Sequence, residues 1–298
     1  MAKIFLRAPA PAKLNLYLHV TGRRDDGYHL LDSLIAFADT HDTLEAEPAE
    51  GLSLELAGPF GENLQGEEDN LVLRAARALA AAAGRPADAA LRLIKRLPVA
   101  AGIGGGSADA ATVLRLLSRL WDLLLPTEEM QRMALALGAD VPVCLAGRAA
   151  YTCGIGERLD PAPRLPRAHL ILANPLIPLS TPQVFKARKG EFGRIDRFAE
   201  APVDAAALAD LLGSRANDLT APAIACLPAI ATGLEAIAGT EGCLLARMSG
   251  SGATCFGLYG DEAGARQAAL ILREELAGWW VVATRLRDDT TGLEAESD

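Results

Sequence analysis

Residues 13–20, Lys-Leu-Asn-Leu-Tyr-Leu-His-Val, alternate between apolar and polar positions without a break. A period of two predicts a strand with Leu14, Leu16, Leu18 and Val20 on one face. Lys13, Asn15, Tyr17 and His19 take the other face, which on local pattern alone is expected to meet solvent, with the floor of a site as the alternative. A charged turn over residues 22–27 leads through Tyr28 and His29 into a second apolar run, 30–37. Residues 52–56 alternate again, and the stretch 58–69 reads as a loop. Asn70 is placed to cap an alanine-rich helix ending near Gly84, and residues 90–94 supply another strand. From Ala110 the apolar positions Val113, Leu114, Leu117, Leu120, Trp121 and Leu124 follow helical spacing. A further helix is expected from a Thr127 cap to Gly138, with that glycine in the left-handed cap conformation.

After a strand and the turn Gly154-Ile-Gly156-Glu157, the run Pro161-Ala-Pro163-Arg-Leu-Pro166 is the best linker signal in the chain. Beyond it come a strand at 169–173 and a short helix opened by Thr181-Pro182 and carrying Phe185. Helices follow between 204 and 238, then strands at 244–248 and 255–259 that flank a second small-residue loop. Asp261 caps a helix reaching about Ala277, 279–286 is a closing strand, and the acidic tail from Arg287 is expected to fray. Helices and strands occur in mixed runs rather than strict alternation, which predicts an α+β protein of two lobes, residues 1–163 and 164–298.

Composition narrows the functional classes. The chain has 298 residues, half of them hydrophobic, so a sizeable core is within reach. No apolar run approaches the ~18 residues of a membrane span, and the first residues enter a strand pattern with no signal or transit segment. A net charge of −9 argues against a nucleic-acid surface. Five cysteines (144, 153, 226, 243 and 255) lack metal-ligand spacing and read as reduced, in keeping with a cytoplasmic location. The histidines show no metal spacing either.

Candidate chemistry concentrates at residues 98–109, which hold four glycines in five positions (102, 104, 105 and 106) and run directly into a helix. Ser107 occupies the expected cap position, so the loop delivers the chain to a helix N-terminus, a seat for phosphate. A Walker A loop would need Lys and Ser/Thr after Gly106, and the dinucleotide fingerprint would need glycine at 107; neither is met. Asp140 lies two residues past the helix ending at Gly138. It is either an Asx turn before Val141-Pro142 or a carboxylate suited to take a proton from a hydroxyl.

Three blocks carry a resemblance to the GHMP kinases: Ala10-Pro-Ala-Lys13-Leu-Asn15-Leu, Pro98 through Ala111, and Ser249-Gly-Ser-Gly-Ala-Thr254. Asp26-Gly-Tyr28-His29, Leu137-Gly-Ala-Asp140-Val-Pro, Gly154-Ile-Gly-Glu157, Asn174-Pro175 and Thr181-Pro-x-Val-Phe185 narrow it to the branch acting on a methylerythritol that carries cytidine diphosphate. The resemblance implies an N-terminal lobe like ribosomal protein S5 domain 2, a ferredoxin-like C-terminal lobe, and a site between them. It implies ATP, with Mg²⁺ inferred from the chemistry, as donor to the 2-hydroxyl of 4-diphosphocytidyl-2-C-methyl-D-erythritol. Asp140 would be the base and Lys13 its charge partner. Pro98, Ala101, Gly102, Ile103, Gly104, Gly105, Gly106, Ser107 and Ala108 would cradle the triphosphate. Tyr28 and Phe185 would sandwich cytosine while His29 reads its edge, Asn15 and Thr181 would hold substrate, and Ser249, Gly250, Ser251 and Gly252 form the second glycine loop. A mevalonate or homoserine kinase, or a regulator with a dead site, would not need that aromatic group together with an intact Lys13 and Asp140.

Overall fold

The computed structural model describes residues 5–66, 70–291 and 296–297. The alternating segment is the middle of a long strand, β1 (Leu6–Arg23), which turns back into the equally long β2 (His29–Glu47). Next come β3 (Leu52–Ala57), α1 (Leu71–Ala82), β4 (Ala89–Ile94), α2 (Gly105–Leu120), α3 (Thr127–Leu137), α4 (Val141–Ala146), β5 (Ala150–Gly154) and β6 (Arg158–Pro161). Residues 162–168 have no regular structure and lead to β7 (His169–Asn174), α5 (Thr181–Ala187), α6 (Ala205–Gly213), α7 (Thr220–Cys226) and α8 (Ala229–Ala238). The chain continues through β8 (Cys243–Met248), β9 (Cys255–Tyr259), α9 (Glu262–Glu275), β10 (Trp280–Arg287) and β11 (Glu296–Ser297). The tail therefore does not simply fray, because β11 pairs with Leu6 and Arg7 of β1.

β2 is the hub of the sheet. It pairs with β1 along most of its length, with β5 over Leu31–Ile35, with β10 at Phe37 and Ala38, and with β4 over Thr43–Glu47. β3 lies parallel to β4, while every other pairing of named strands is antiparallel. In the second half, strand order β10-β7-β9-β8 with α8 and α9 in the crossovers is the ferredoxin-like β-α-β-β-α-β pattern.

Three apolar clusters follow from this layering. One buries the inner faces of α1 and α2 against β1, β2 and β4 through Val72, Leu79, Val113, Leu114, Leu117, Leu44 and Leu93. Another packs α8 and α9 on β7 and β9 through Ile230, Ile237, Leu272, Ile171 and Tyr259. Between them, Leu14, Leu16, Leu34, Ile103, Leu170, Leu172, Phe256 and Leu258 join the two halves into one core.

Several helix ends differ from the residue-type rules. Asn70, Asp204 and Asp261 cap α1, α6 and α9 through their side chains. Thr127 and Thr181, in contrast, are already the first helical residues, behind Pro126 and Ser180. Gly138 has φ 166°, an extended conformation rather than the left-handed one.

Candidate active site

Both faces of β1 are buried, and this overturns the expectation of a solvent-facing Lys-Asn-Tyr-His row. Each polar group on that row is matched from a distant element, as burial of polar atoms requires. Tyr17 donates its hydroxyl to Asp32 Oδ2 at 2.7 Å. His19 sets Nδ1 3.0 Å from the Arg194 carbonyl and accepts the Ala216 N–H at Nε2. Asn15 donates Nδ2 to Ser33 Oγ at 2.8 Å and its backbone N–H to Ser249 Oγ at 3.1 Å. Lys13 donates to Asn15 Oδ1 at 3.0 Å and forms an ion pair with Asp140 Oδ2 at 2.8 Å. The lysine side chain is 4% exposed and the aspartate 42%, so the ammonium is fixed and the carboxylate stays reachable.

Asp140 follows α3 by three residues and immediately precedes α4, where it takes the cap position without closing a side-chain cap bond. It thus stands at the start of α4 as well as after α3, with the Lys13 ammonium against it.

The first glycine loop is tied to β1 by the bond from Lys13 N–H to the Ile103 carbonyl, 2.8 Å. Its cap residue is Gly104, not Ser107, which is the third residue of α2. Gly104 adopts φ +61°, and a Cβ there would come within 3.1 Å of the Lys13 Cβ, so only glycine brings the loop this close to the lysine. The second loop, 249–254, packs directly on the first. Ser249 Oγ donates to the Gly102 carbonyl, and Thr254 presents both its N–H and its hydroxyl to the Ala101 carbonyl. Asn174 holds Thr254 from β7, and Thr181 Oγ1 meets Ser251 Oγ at 2.7 Å.

Gly102 sits where the two loops touch, with φ +74° and only 2.8 Å between a built Cβ and the Ser249 carbonyl oxygen. Gly102→Ala is therefore expected to cost about 2 kcal/mol or more, from the left-handed backbone and the clash together. ATP affinity should fall with stability, as read by thermal unfolding and nucleotide titration; an unshifted melting temperature would contradict this packing.

A cavity of about 320 Å³ opens over this loop. Pro98, Ala101, Gly102, Gly104, Gly105, Gly106 and Ser107 line it with Leu64, Asn70, Val72, Lys95 and Asp109. Ile103 and Ala108 do not line it; their side chains turn into the core, so they shape the loop from behind. Beneath Gly105, Lys95 Nζ lies 2.5 Å from Asp42 Oδ2 and 2.6 Å from Asp109 Oδ2, all three side chains being buried. Asp42 also receives the backbone N–H groups of Arg96 and Leu97. Burial pushes the Asp109 carboxyl up to about 7, against the pull of Lys95 and reinforced by Asp42. Asp109 Oδ1 has no hydrogen-bond partner, so the residue neither turns outward nor is fully satisfied.

At the far end of β1, His29 and Phe185 stack with ring centroids 5.0 Å apart. Tyr28 is 61% exposed on the preceding turn, so the ring that meets Phe185 is His29 rather than Tyr28. Partial burial, together with the charges of Arg23 and Arg188, holds His29 below the usual histidine range and hence neutral at physiological pH.

Ser33 and Asp42 were not singled out in the sequence, being single polar residues inside strands with no motif around them. Their only signal is a polar position in a segment otherwise fit for burial. A larger groove of about 510 Å³ lies between β2, β10 and α9, away from both loops. Two of its arginines, Arg266 and Arg285, are already paired with Glu262 and Asp39.

Comparison with known proteins matches this geometry. Family models for the GHMP kinases N terminal domain and the GHMP kinases C terminal domain match residues 70–148 and 202–278. The 4-diphosphocytidyl-2-C-methyl-D-erythritol kinase of Paramagnetospirillum magneticum is 58% identical, covering 93% of this chain and 97% of its own length. The enzyme of the same name from Rhodospirillum rubrum is 57% identical, over 96% of this chain and 94% of its own. A solved 4-(cytidine 5'-diphospho)-2C-methyl-D-erythritol kinase superposes with a TM-score of 0.78 at 37% identity, over 94% of this chain and 99% of that one. A homoserine kinase from Cytophaga hutchinsonii shares the fold at 14% identity, with a TM-score of 0.73 over 100% of this chain and 98% of its own.

Proposed function

The chain belongs to the GHMP kinases, and from that premise we propose that it transfers the γ-phosphoryl group of ATP to the 2-hydroxyl of 4-diphosphocytidyl-2-C-methyl-D-erythritol. The observation that carries this reading is the Lys13–Asp140 pair, 2.8 Å, beside a glycine loop pinned to the same strand as the lysine. In the reaction the substrate hydroxyl oxygen bonds to the γ-phosphorus as the bond to the ADP oxygen breaks. Asp140 takes the hydroxyl proton. Lys13, held by Asn15 and Asp140, and the N-terminus of α2 stabilise charge on the transferring group, which is most of what phosphoryl transfer asks of a protein. Residues 1–163 supply the nucleotide lobe and 164–298 the lobe that completes the cleft.

Mg²⁺ normally keeps phosphate and water oxygens and takes one or two carboxylates. No group of three or more His, Cys, Asp or Glu is gathered for a metal among the described residues. The unpartnered Asp109 Oδ1, in a site with two carboxylates against one ammonium, nonetheless fits such an ion beside the phosphate cavity. Bound there, the ion would draw charge from the phosphates of ATP.

The aromatic pair His29–Phe185, with exposed Tyr28 beside it, supports a planar base as the distal part of the substrate. No helix among the described residues is long and apolar enough to cross a membrane. ADP release with ATP and Mg²⁺ is the test, run against the cytidine diphosphate compound, mevalonate, homoserine and galactose. Turnover is expected with the first alone; turnover with mevalonate and none with the cytidine compound would sink the reading.

A further inference from the structure

Arg188 ends α5 one turn after Phe185, and its backbone N–H donates to the Phe185 carbonyl. Its guanidinium lies 5.0 Å above the Phe192 ring, while Nη1 and Nη2 donate to the carbonyls of Gly190 and Glu191. The plane of the head group is thereby fixed by its own loop. That loop is in turn fastened to β1, because Gly193 N–H donates to the Val20 carbonyl at 2.8 Å. One nitrogen of the head group is left without a partner: Nε, whose N–H is buried and meets no acceptor. A guanidinium cannot shed its proton to relieve such a vacancy, and a buried donor without an acceptor is a costly arrangement.

The place of this donor gives it meaning. Spacing of three residues puts Arg188 on the Phe185 side of α5. Its charge acts on His29, the ring stacked on Phe185, and Arg23 acts on the same ring from the opposite strand turn. Arg23 pairs with His29 across the β1–β2 turn and Arg188 is bonded through its backbone to Phe185, so each ring of the stacked pair has an arginine next to it in a chain of net charge −9. An anionic ligand bearing a flat ring is complementary to that combination.

We propose that Arg188 is a specificity-determining residue whose Nε–H binds an acceptor oxygen of the cytidine diphosphate group. The assignment rests on the reading of the site as a cytidine diphosphate cleft. The shared chemistry is a hydrogen-bond acceptor, and it has two possible sources: the base carbonyl or a phosphate oxygen. Lysine at 188 keeps the charge but removes the fixed planar donor.

Binding of CDP, cytidine and ATP is measured calorimetrically for the wild-type protein and for Arg188→Lys and Arg188→Ala, with steady-state kinetics on the diphosphocytidyl substrate. Both variants are expected to bind CDP about tenfold more weakly, the loss of one charge-assisted hydrogen bond. KM for the substrate should rise by a similar factor, with kcat and ATP affinity within about twofold of wild type. An equal loss for cytidine assigns the base carbonyl; a loss for CDP with cytidine unchanged assigns a phosphate oxygen. CDP affinity within twofold of wild type in both variants overturns the proposal. So does a parallel fall in ATP affinity and melting temperature, which would make Arg188 only a fastener of its loop. If the wild-type protein binds neither CDP nor cytidine, the cytidine reading of the cleft itself fails, and Arg188 with it.

Discussion

Asp140→Asn is expected to lower kcat by roughly three orders of magnitude while ATP still binds as it does to the wild-type protein, the range attached to a positioned general base. Asparagine has the shape of aspartate, so α4 and the turn that precedes it have no reason to move. What it lacks is the lone pair and charge that accept the hydroxyl proton. Lys13 keeps its bond to Asn15 Oδ1 and is not left bare, so the loss reports on the base rather than on a collapsed lysine. The carboxylate is the accessible member of the pair, with a 42% exposed side chain against 4% for the lysine. That is the polarity expected when the acid group meets substrate and the ammonium supports it. Single-turnover rates together with an ATP titration separate the two effects. A kcat within tenfold of wild type would remove Asp140 from the role of base.

Lys95→Met is expected to destabilise the protein by about 3–5 kcal/mol, the usual effect of removing one partner from a buried ion pair. Methionine fills much of the same volume, so packing is a small part of the loss. The larger part is electrostatic, since Asp42 and Asp109, both buried, would face each other across the space that Nζ now occupies. Asp42 also organises the backbone of Arg96 and Leu97 at the entry to the glycine loop. Damage at this point should therefore reach ATP binding as well. With a total stability of some 5–15 kcal/mol, the variant stands near the limit of folding. Urea unfolding measures the change. Adding Asp109→Asn to the same chain should recover part of it by removing one of the two facing charges. A loss below 1 kcal/mol would mean that the triad is better hydrated than its burial indicates.

What could be read in the sequence was whatever depends on near neighbours. The alternation of 13–20 identified the central part of β1, and the helical spacing from Ala110 identified α2, because one buried face is enough to impose a period. The second face of β1 was not legible. Lys13, Asn15, Tyr17 and His19 become buried only because Ser33, Ser249, Asp32 and the carbonyl of Arg194 arrive from elsewhere, the Asn15–Ser249 bond spanning 234 positions. The cap of α2 failed for a related reason. Residue-type preference selects Ser107, whereas the chain turns at Gly104, where contact with Lys13 demands a missing side chain. Resemblance carried the roles of Lys13 and Asp140, and the 2.8 Å pair is consistent with them. It did not indicate that His29 would stack on Phe185, since that depends on how two loops settle against each other.

The construction of β1 has a practical consequence for anyone wishing to redirect this catalyst. Lys13 and Asn15 sit two residues apart on a strand whose rise is about 3.3 Å per residue, and the same strand anchors the first glycine loop through Ile103. The Lys13 ammonium, the Asn15 amide and the glycine loop are thus set along one rigid ruler, paired nearly end to end with β2. The groups assigned by the proposed reading to the distal half of the substrate hang on separate pieces, the 23–29 turn and α5 with the loop after it. Chemistry and choice of acceptor are mechanically separable here. A library confined to the second set would explore new alcohols without disturbing the transfer step, whereas changes along the ruler would alter both at once.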